Sequence, residues 1–257
     1  MKKENRFKIK NRILEKNERV IEIPWVLSTY KGQARVLDIG TTFSDRSYFK
    51  YLIELIKKGI KEFYCIDIIS FKPERFAKSV PAPILNKLIF KKGDVRKSGY
   101  PDNFFDLILC VSTIEHIGFD RENINPKEDT SFKRGKNKPK NKNWKIWKED
   151  YKVVKEFLRI LKPGGSILIT APLGKIGVIT VKDSKERYAQ FFQYDQKRVQ
   201  SLFNRFKNID AKARYFYFNE NKGWQESFKK SPINCDYNVK EGCAGGVVFM
   251  EIKKTKN

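Results

Sequence analysis

Short apolar runs that end near a glycine or an aspartate alternate along this chain with segments whose apolar residues recur at helical spacing, and few folds accept that alternation. The runs "ARVLDIG" (34–40), "EFYCIDII" (62–69), "NKLIFKKGDV" (86–95), "FFDLILCVST" (104–113) and "SILITAP" (166–172) read as strands. Between them, "SYFKYLIELIKKG" closes on Gly59, and "DYKVVKEFLRILKPGG" closes on Lys162, Pro163 and Gly164, as helices do. Apolar residues in unbroken runs, rather than at every second position, mark strands covered on both faces. Strands alternating with helices therefore predict an α/β fold built on a doubly wound parallel sheet.

Upstream of this pattern, a basic start leads into "RVIEIPWVLSTY", which has the spacing of an amphipathic helix interrupted by Pro24. Beyond Gly174 the pattern changes. "YDQKRVQSLFNRF" reads as a helix, and "IDAKARYFYF" and "AGGVVFMEIKK" read as strands with no clear helix between them, which predicts an antiparallel pair at the sheet edge. A chain of 257 residues, 40% of them hydrophobic, suits one elaborated domain. The expectation is a single domain over 1–257 with a helical extension over 1–33 and a basic insertion over 121–148. That insertion, with "KRGKNKPKNKNWKIWK", is polar and long for a connection, and points to a lid, a binding loop or local disorder.

No stretch approaches the roughly 18 to 20 apolar residues of a spanning helix, and the amino terminus lacks a signal-type apolar segment, so a cytoplasmic protein without a transmembrane segment is expected. The four cysteines show no CxxC spacing; neither zinc nor a disulfide framework is indicated, and a Cys235–Cys243 bridge stays open. The net charge of +24 would attract nucleic acid, an anionic surface or an acidic substrate, yet lysine is spread over nearly every segment, as a general compositional bias would also produce.

In a doubly wound sheet, ligands bind outside the carboxyl ends of the strands. The first strand ends in "VLDIGTTFSD", where Gly40 permits close backbone approach and Asp38, Thr41, Thr42 and Ser44 offer polar contacts. Asp38 also suits a cap on the loop that follows. The second strand ends at Asp67, placed like an acid that holds ribose hydroxyls. Asp94 and Val95 follow the third strand, where Asp94 with Gly93 equally suits a turn. Ser112, Glu115 and His116 follow the fourth strand, and His116 is the only histidine in the chain.

These elements, in this order, resemble the class I S-adenosylmethionine-dependent methyltransferases over most of residues 19–174. "VLDIGTTFS" is similar to the family's first glycine-rich loop, "FYCIDI" to its ribose-binding strand and "GDVR" to its adenine-side acid. "NFFDLILCVSTIEHIG" resembles the fourth strand with the active-site loop, and "FLRILKPGGSILITAP" the helix, turn and fifth strand. The first loop departs from the usual LDxGxGxG, keeping only Gly40. The resemblance implies a Rossmann-like seven-stranded sheet, mostly parallel with an antiparallel carboxyl-terminal strand. It also implies S-adenosylmethionine as cofactor, with Asp38, Gly40, Thr41, Thr42, Ser44, Asp67, Asp94, Val95 and Ser112 as its binding residues.

The implied function is methyl transfer, with a saccharide or other small-molecule hydroxyl as the first acceptor class. "STIEHIG", "TAPLGK" and "GWQESF" with "AGGVVFMEI" are similar to methyltransferases of surface-polysaccharide and glycan biosynthesis. Nucleic acid is the second, less favoured partner: the basic charge fits an RNA methyltransferase, but "STIEH" stands where base-modifying relatives often carry an "NPPY"-type tetrapeptide. A noncatalytic S-adenosylmethionine-binding protein is the third reading. Oxygen nucleophiles need a proton acceptor, and His116 with Glu115 are the candidates for catalysis. A histidine that bonds a backbone carbonyl and shapes the loop is the competing reading of His116. A metal site would have to recruit Asp120, and none is expected.

Overall fold

The computed structural model describes residues 15–41, 46–71, 80–119, 148–182, 188–227, 235–239 and 242–256. Thr42, Ser44, Asp120 and 121–147 of the basic insertion lie outside these residues. The strands are β1 (Arg35–Ile39), β2 (Glu62–Asp67), β3 (Leu88–Lys92), β4 (Phe105–Val111), β5 (Leu161–Pro172), β6 (Gly177–Lys182), β7 (Tyr188–Gln193), β8 (Ile209–Asn219), β9 (Gly223–Ser227) and β10 (Gly246–Lys254). The helices are α1 (Arg19–Thr29), α2 (Arg46–Lys57), α3 (Ala82–Leu85), α4 (Glu149–Ile160) and α5 (Gln196–Phe203).

Eight strands form the main sheet in the order β3-β2-β1-β4-β5-β10-β8-β9. The first five run parallel, β10 runs against both β5 and β8, and β9 runs against β8. This is the expected Rossmann-like class with one strand more than seven. The antiparallel carboxyl-terminal strand is present too, but β10 lies inside the sheet and the edge is the β8–β9 hairpin.

The apolar runs are explained by burial on both faces. Along β4, Leu107 and Leu109 join one cluster with Ile21, Trp25 and Val26 of α1 and Leu55 and Ile56 of α2. Ile108 and Cys110 point the other way, into a cluster with Val153, Val154, Phe157 and Ile160 of α4 and Leu202 of α5. Burying each large aliphatic contributes about 1.5 to 3 kcal/mol. Trp25 stacks on Phe249 of β10 with ring centroids 4.6 Å apart, which lays α1 across the sheet.

Two local expectations differ from the structure, and one element lies beyond them. Pro24 does not interrupt α1, because it sits within the helix at an exposed position and costs the ladder one donor only. "KPGG" is not simply a helix stop: Phe105 pairs with Leu161 and Leu107 with Ser166, so residues 162–165 bulge out opposite Asp106 within β5. Finally, β6 and β7 form a separate antiparallel hairpin. Cys235 and Cys243 are free thiols, and Cys235 Sγ donates to the Leu173 carbonyl at 3.2 Å.

Candidate active site

The chain leaves β1 toward β2 on one side and returns to β4 on the other, so the switch point of the sheet lies between β1 and β4. The loops leaving those two strands are stitched together there. Gly40 donates its N–H to the Ile66 carbonyl at 3.0 Å, and Thr113 Oγ1 donates to the carbonyls of Ile39 and Val111 at 3.2 and 3.0 Å. A Cβ on Gly40 would stand 2.5 to 2.6 Å from the Thr113 side chain, and Gly40 has φ +81°. Glycine is needed here twice over, for its conformation and for the close approach of the loop after β4.

Asp38 is fully buried and accepts from Thr41 Oγ1 at 2.6 Å, so the carboxylate braces its own loop. Asp67 is 9% exposed at the carboxyl end of β2, and its Oδ1 accepts the Ile69 N–H at 3.1 Å. Asp94 accepts the Arg96 N–H at 2.9 Å and caps the short turn Val95–Lys97. Its carboxylate is also gripped by the Arg96 guanidinium, at 2.6 to 3.0 Å, which in turn reaches Glu149 at 2.5 Å. Burial raises the Asp94 carboxyl, but Arg96 more than offsets this and holds it below the usual range. Val95 is buried in the core.

The loop after β4 carries the most unusual geometry. Ser112 has φ +42°, a left-handed backbone that costs a non-glycine residue of the order of 1 kcal/mol or more. Its N–H is taken by both the carbonyl and the Oγ1 of Thr170 on β5, at 3.1 and 3.0 Å, and its Oγ donates to Glu22 of α1 at 2.8 Å. Glu22 is fully buried and also pairs with Arg19.

His116 and Glu115 follow in a short 3₁₀ turn, Ile114–His116. His116 Nδ1 lies 3.3 Å from the Gln190 carbonyl of β7, and the Phe191 ring meets the imidazole with centroids 5.5 Å apart. A carbonyl only accepts, so a hydrogen bond here makes Nδ1 the donor. Glu115 is 2% exposed, and its Oε2 has no hydrogen-bond partner among the described residues. Burial raises its carboxyl well above the usual range. The charges of Glu22 and Glu18 add to that, against the pull of its own N–H and of Arg19. Burial thus favours the neutral form of Glu115.

The structure thus brings Asp38, Gly40, Thr41, Asp67, Asp94, Val95, Ser112, Glu115 and His116 to one edge of the sheet. Sequence reasoning missed Glu22, Glu18, Gln190 and Phe191. A signal for Glu22 was present: it shares the helical stripe of Trp25 and Val26, and an acid on an apolar face asks for a partner.

Residues 37–127 match the model of a family described as methyltransferase domain. No curated protein matches the sequence. A structure described as SAM-dependent methyltransferases, from Methanosarcina mazei, superposes with a TM-score of 0.54 at 16% identity, covering 91% of this chain and 98% of its own. The YcgJ protein from Bacillus subtilis gives 0.52 at 12% identity over 92% and 99%. A chain of a Haloferax volcanii complex that contains the Trm112 methyltransferase activator gives 0.54 at 12% over 92% and 89%. Likenesses at these identities establish the fold.

Proposed function

We propose that this chain, an S-adenosylmethionine-dependent methyltransferase, places the methyl group on a hydroxyl of a saccharide or another small acceptor, with His116 taking the proton. The observation that carries this reading is the place of His116 on the loop after β4, with Nδ1 3.3 Å from the Gln190 carbonyl. A neutral ring that donates from Nδ1 to this carbonyl would accept a proton at Nε2, beside the switch point. The similarity of "STIEHIG" and "TAPLGK" to methyltransferases of glycan biosynthesis supports a saccharide.

The residues fit the cofactor. Asp67, at the end of β2, suits the ribose hydroxyls, and the Gly40 loop is held flat against Thr113, where a side chain would intrude. Asp38, Gly40 and Thr41, with Thr42 and Ser44, would hold the amino-acid end, and Ser112 the edge nearest the acceptor. Arg96 occupies the Asp94 carboxylate, which leaves the adenine end to the Val95 backbone and to whatever acceptor capacity Asp94 retains. The cofactor, when bound, supplies a sulfonium-activated methyl group. His116 Nε2 would take the proton of an acceptor hydroxyl that receives this methyl group. The protein's work is alignment and proton removal.

Calorimetry with S-adenosylhomocysteine, followed by a labelled-methyl screen against glycans and RNA, tests the reading. Binding with label on glycans or small hydroxyl compounds is expected. No binding, or label on RNA alone, overturns it.

A further inference from the structure

The β6–β7 hairpin is separate from the main sheet, yet its second strand carries the carbonyl that meets His116, so that strand has to be fixed by other means. Backbone bonds do part of this. Gly174 donates to the Tyr194 carbonyl at 2.8 Å, and Tyr194 to the Pro172 carbonyl at 2.9 Å. The rest converges on one side chain at the end of β7. Gln193 is 1% exposed; its Nε2 donates to the Lys175 carbonyl at 2.8 Å and to Asp236 Oδ1 at 2.9 Å, while its Oε1 accepts the Tyr237 N–H at 2.8 Å. A carbonyl cannot donate and a backbone N–H cannot accept, so these partners fit the amide in one orientation only. Asp236 Oδ1 also accepts the Lys175 N–H at 2.6 Å, and a Cβ on Gly174 would run into Gln193 Nε2, so glycine leaves room for the amide. One carboxamide thus ties β7 both to the chain that follows β5 and to residues 235–237.

Two routes lead from this amide to the imidazole. Along the backbone, β7 runs back from Gln193 to Gln190, whose carbonyl lies 3.3 Å from His116 Nδ1. Through side chains, Phe191 shares a face of β7 with Gln193, and its ring meets both His116 and Tyr237, with centroids 5.5 and 4.7 Å apart. Tyr237 is the residue whose N–H Gln193 holds. Which nitrogen of an imidazole carries the hydrogen is set by the hydrogen bond that the other end of the ring makes, so a partner held still holds the tautomer.

We propose that Gln193 is a positioning residue: it holds the Gln190 carbonyl and the Phe191 ring against His116, and so keeps the hydrogen of the neutral imidazole on Nδ1, the tautomer that accepts a proton at Nε2. This deepens the reading of His116 as proton acceptor and rests on it. Gln193 acts through the imidazole, by way of β7 and Tyr237.

His116 is the only histidine in the chain, so its two ring nitrogens are read directly by NMR of the full chain, made without a histidine tag and supplied with histidine carrying an NMR-active nitrogen isotope. At a pH where the ring is neutral, the wild-type spectrum should show the hydrogen on Nδ1. Gln193→Met keeps the length of the side chain and removes its hydrogen bonds. The ratio of Nδ1–H to Nε2–H forms should then fall about tenfold, the scale of one hydrogen bond. Asp236→Ala, at an exposed position, removes the acceptor that Gln193 and Lys175 share, and should move the ratio the same way by a smaller factor; it serves as the second variant should Gln193→Met fail to fold. Thermal unfolding and S-adenosylhomocysteine calorimetry report the fold and the cofactor site of each protein. Folded variants with the wild-type ratio overturn the proposal, and so does a wild-type ring with its hydrogen on Nε2. The reading beneath it fails separately: His116→Ala with near-normal turnover removes the role of His116 as proton acceptor while the ratios measured in the variants stand, and a wild-type chain that does not bind S-adenosylhomocysteine overturns the methyltransferase reading instead.

Discussion

β4 and β8 belong to one sheet, and they are buried in opposite ways. Of the seven residues of β4, all but Asp106 are buried, whereas of the eleven of β8 only Phe216 is. β4 lies between β1 and β5 under helices on both faces, and β8 lies one strand from the edge, paired with β10 and β9. The parallel half ends its strands in the loops that hold the candidate site. The antiparallel half, with the β6–β7 hairpin, supports those loops from beside. The two halves should accordingly fail in different ways: substitutions in the first strike the chemistry or the cofactor, and substitutions in the second strike stability or the acceptor.

The largest effect is expected where the halves meet. His116→Ala should lower turnover by about 10² to 10⁴ while cofactor affinity measured by calorimetry stays near wild type. Near-normal turnover would reduce His116 to a loop-shaping residue bonded to Gln190. Next comes the buried pair of Asp150 on α4 with Arg198 on α5, where Nη2 and Oδ1 are 2.5 Å apart and Nε and Oδ2 3.1 Å. Arg198→Met strands Asp150, whose carboxyl burial already pushes up, and should cost about 3 to 5 kcal/mol in denaturant unfolding. A small loss would mean that the second half is not welded to the first through these helices.

Asp67→Ala should cost about 1.5 to 3 kcal/mol of cofactor affinity for each charge-assisted hydrogen bond removed, with stability nearly unchanged. Unchanged affinity in folded protein would move the ribose away from β2. Gly40→Ala forces a Cβ at φ +81° into Thr113 and should cost about 1 to 3 kcal/mol of stability as well as cofactor affinity. Adding Thr113→Ala should recover the part due to overlap but not the part due to conformation.

The smallest effect is a pH dependence. The Glu115 carboxyl is raised in the folded state, so below the ordinary carboxylate range both states hold the proton and the group contributes nothing. As pH rises past about 4.5, the unfolded chain ionises while the folded one keeps its proton, and stability falls until the folded group ionises in turn. Unfolding midpoints above about pH 4.5 should fall less steeply for Glu115→Gln than for wild type; parallel curves would show that the Glu115 carboxyl is not raised in the fold.

The parallel half was legible because strands buried on both faces, such as β1, β4 and β5, write themselves as unbroken apolar runs, and because β1, β2 and β3 run out at Gly40, Asp67 and Gly93-Asp94. "FDLILCV" is seen at once for that reason. The other half had no such signature. "GWQES" became β9 only because β8 offers it a partner, and "GVITVK" with "YAQFFQ" pair with each other and not with the main sheet. Pro24 misled because a missing donor is cheap on the exposed side of a helix held by Trp25 and Phe249. Glu22 was passed over because its partner, Ser112, lies 90 residues away in sequence, and spacing carries no trace of such a contact.

The meeting of Gly40 with Thr113 sets a rule for recombining this scaffold with its relatives. The loops after β1 and β4 are separate in the gene, yet each is shaped by the atoms of the other. A chimera that imports one loop alone inherits a mismatch, whichever parent it comes from. The exchangeable unit is the pair, and a library built by swapping both together should retain far more folded members than one that swaps either by itself.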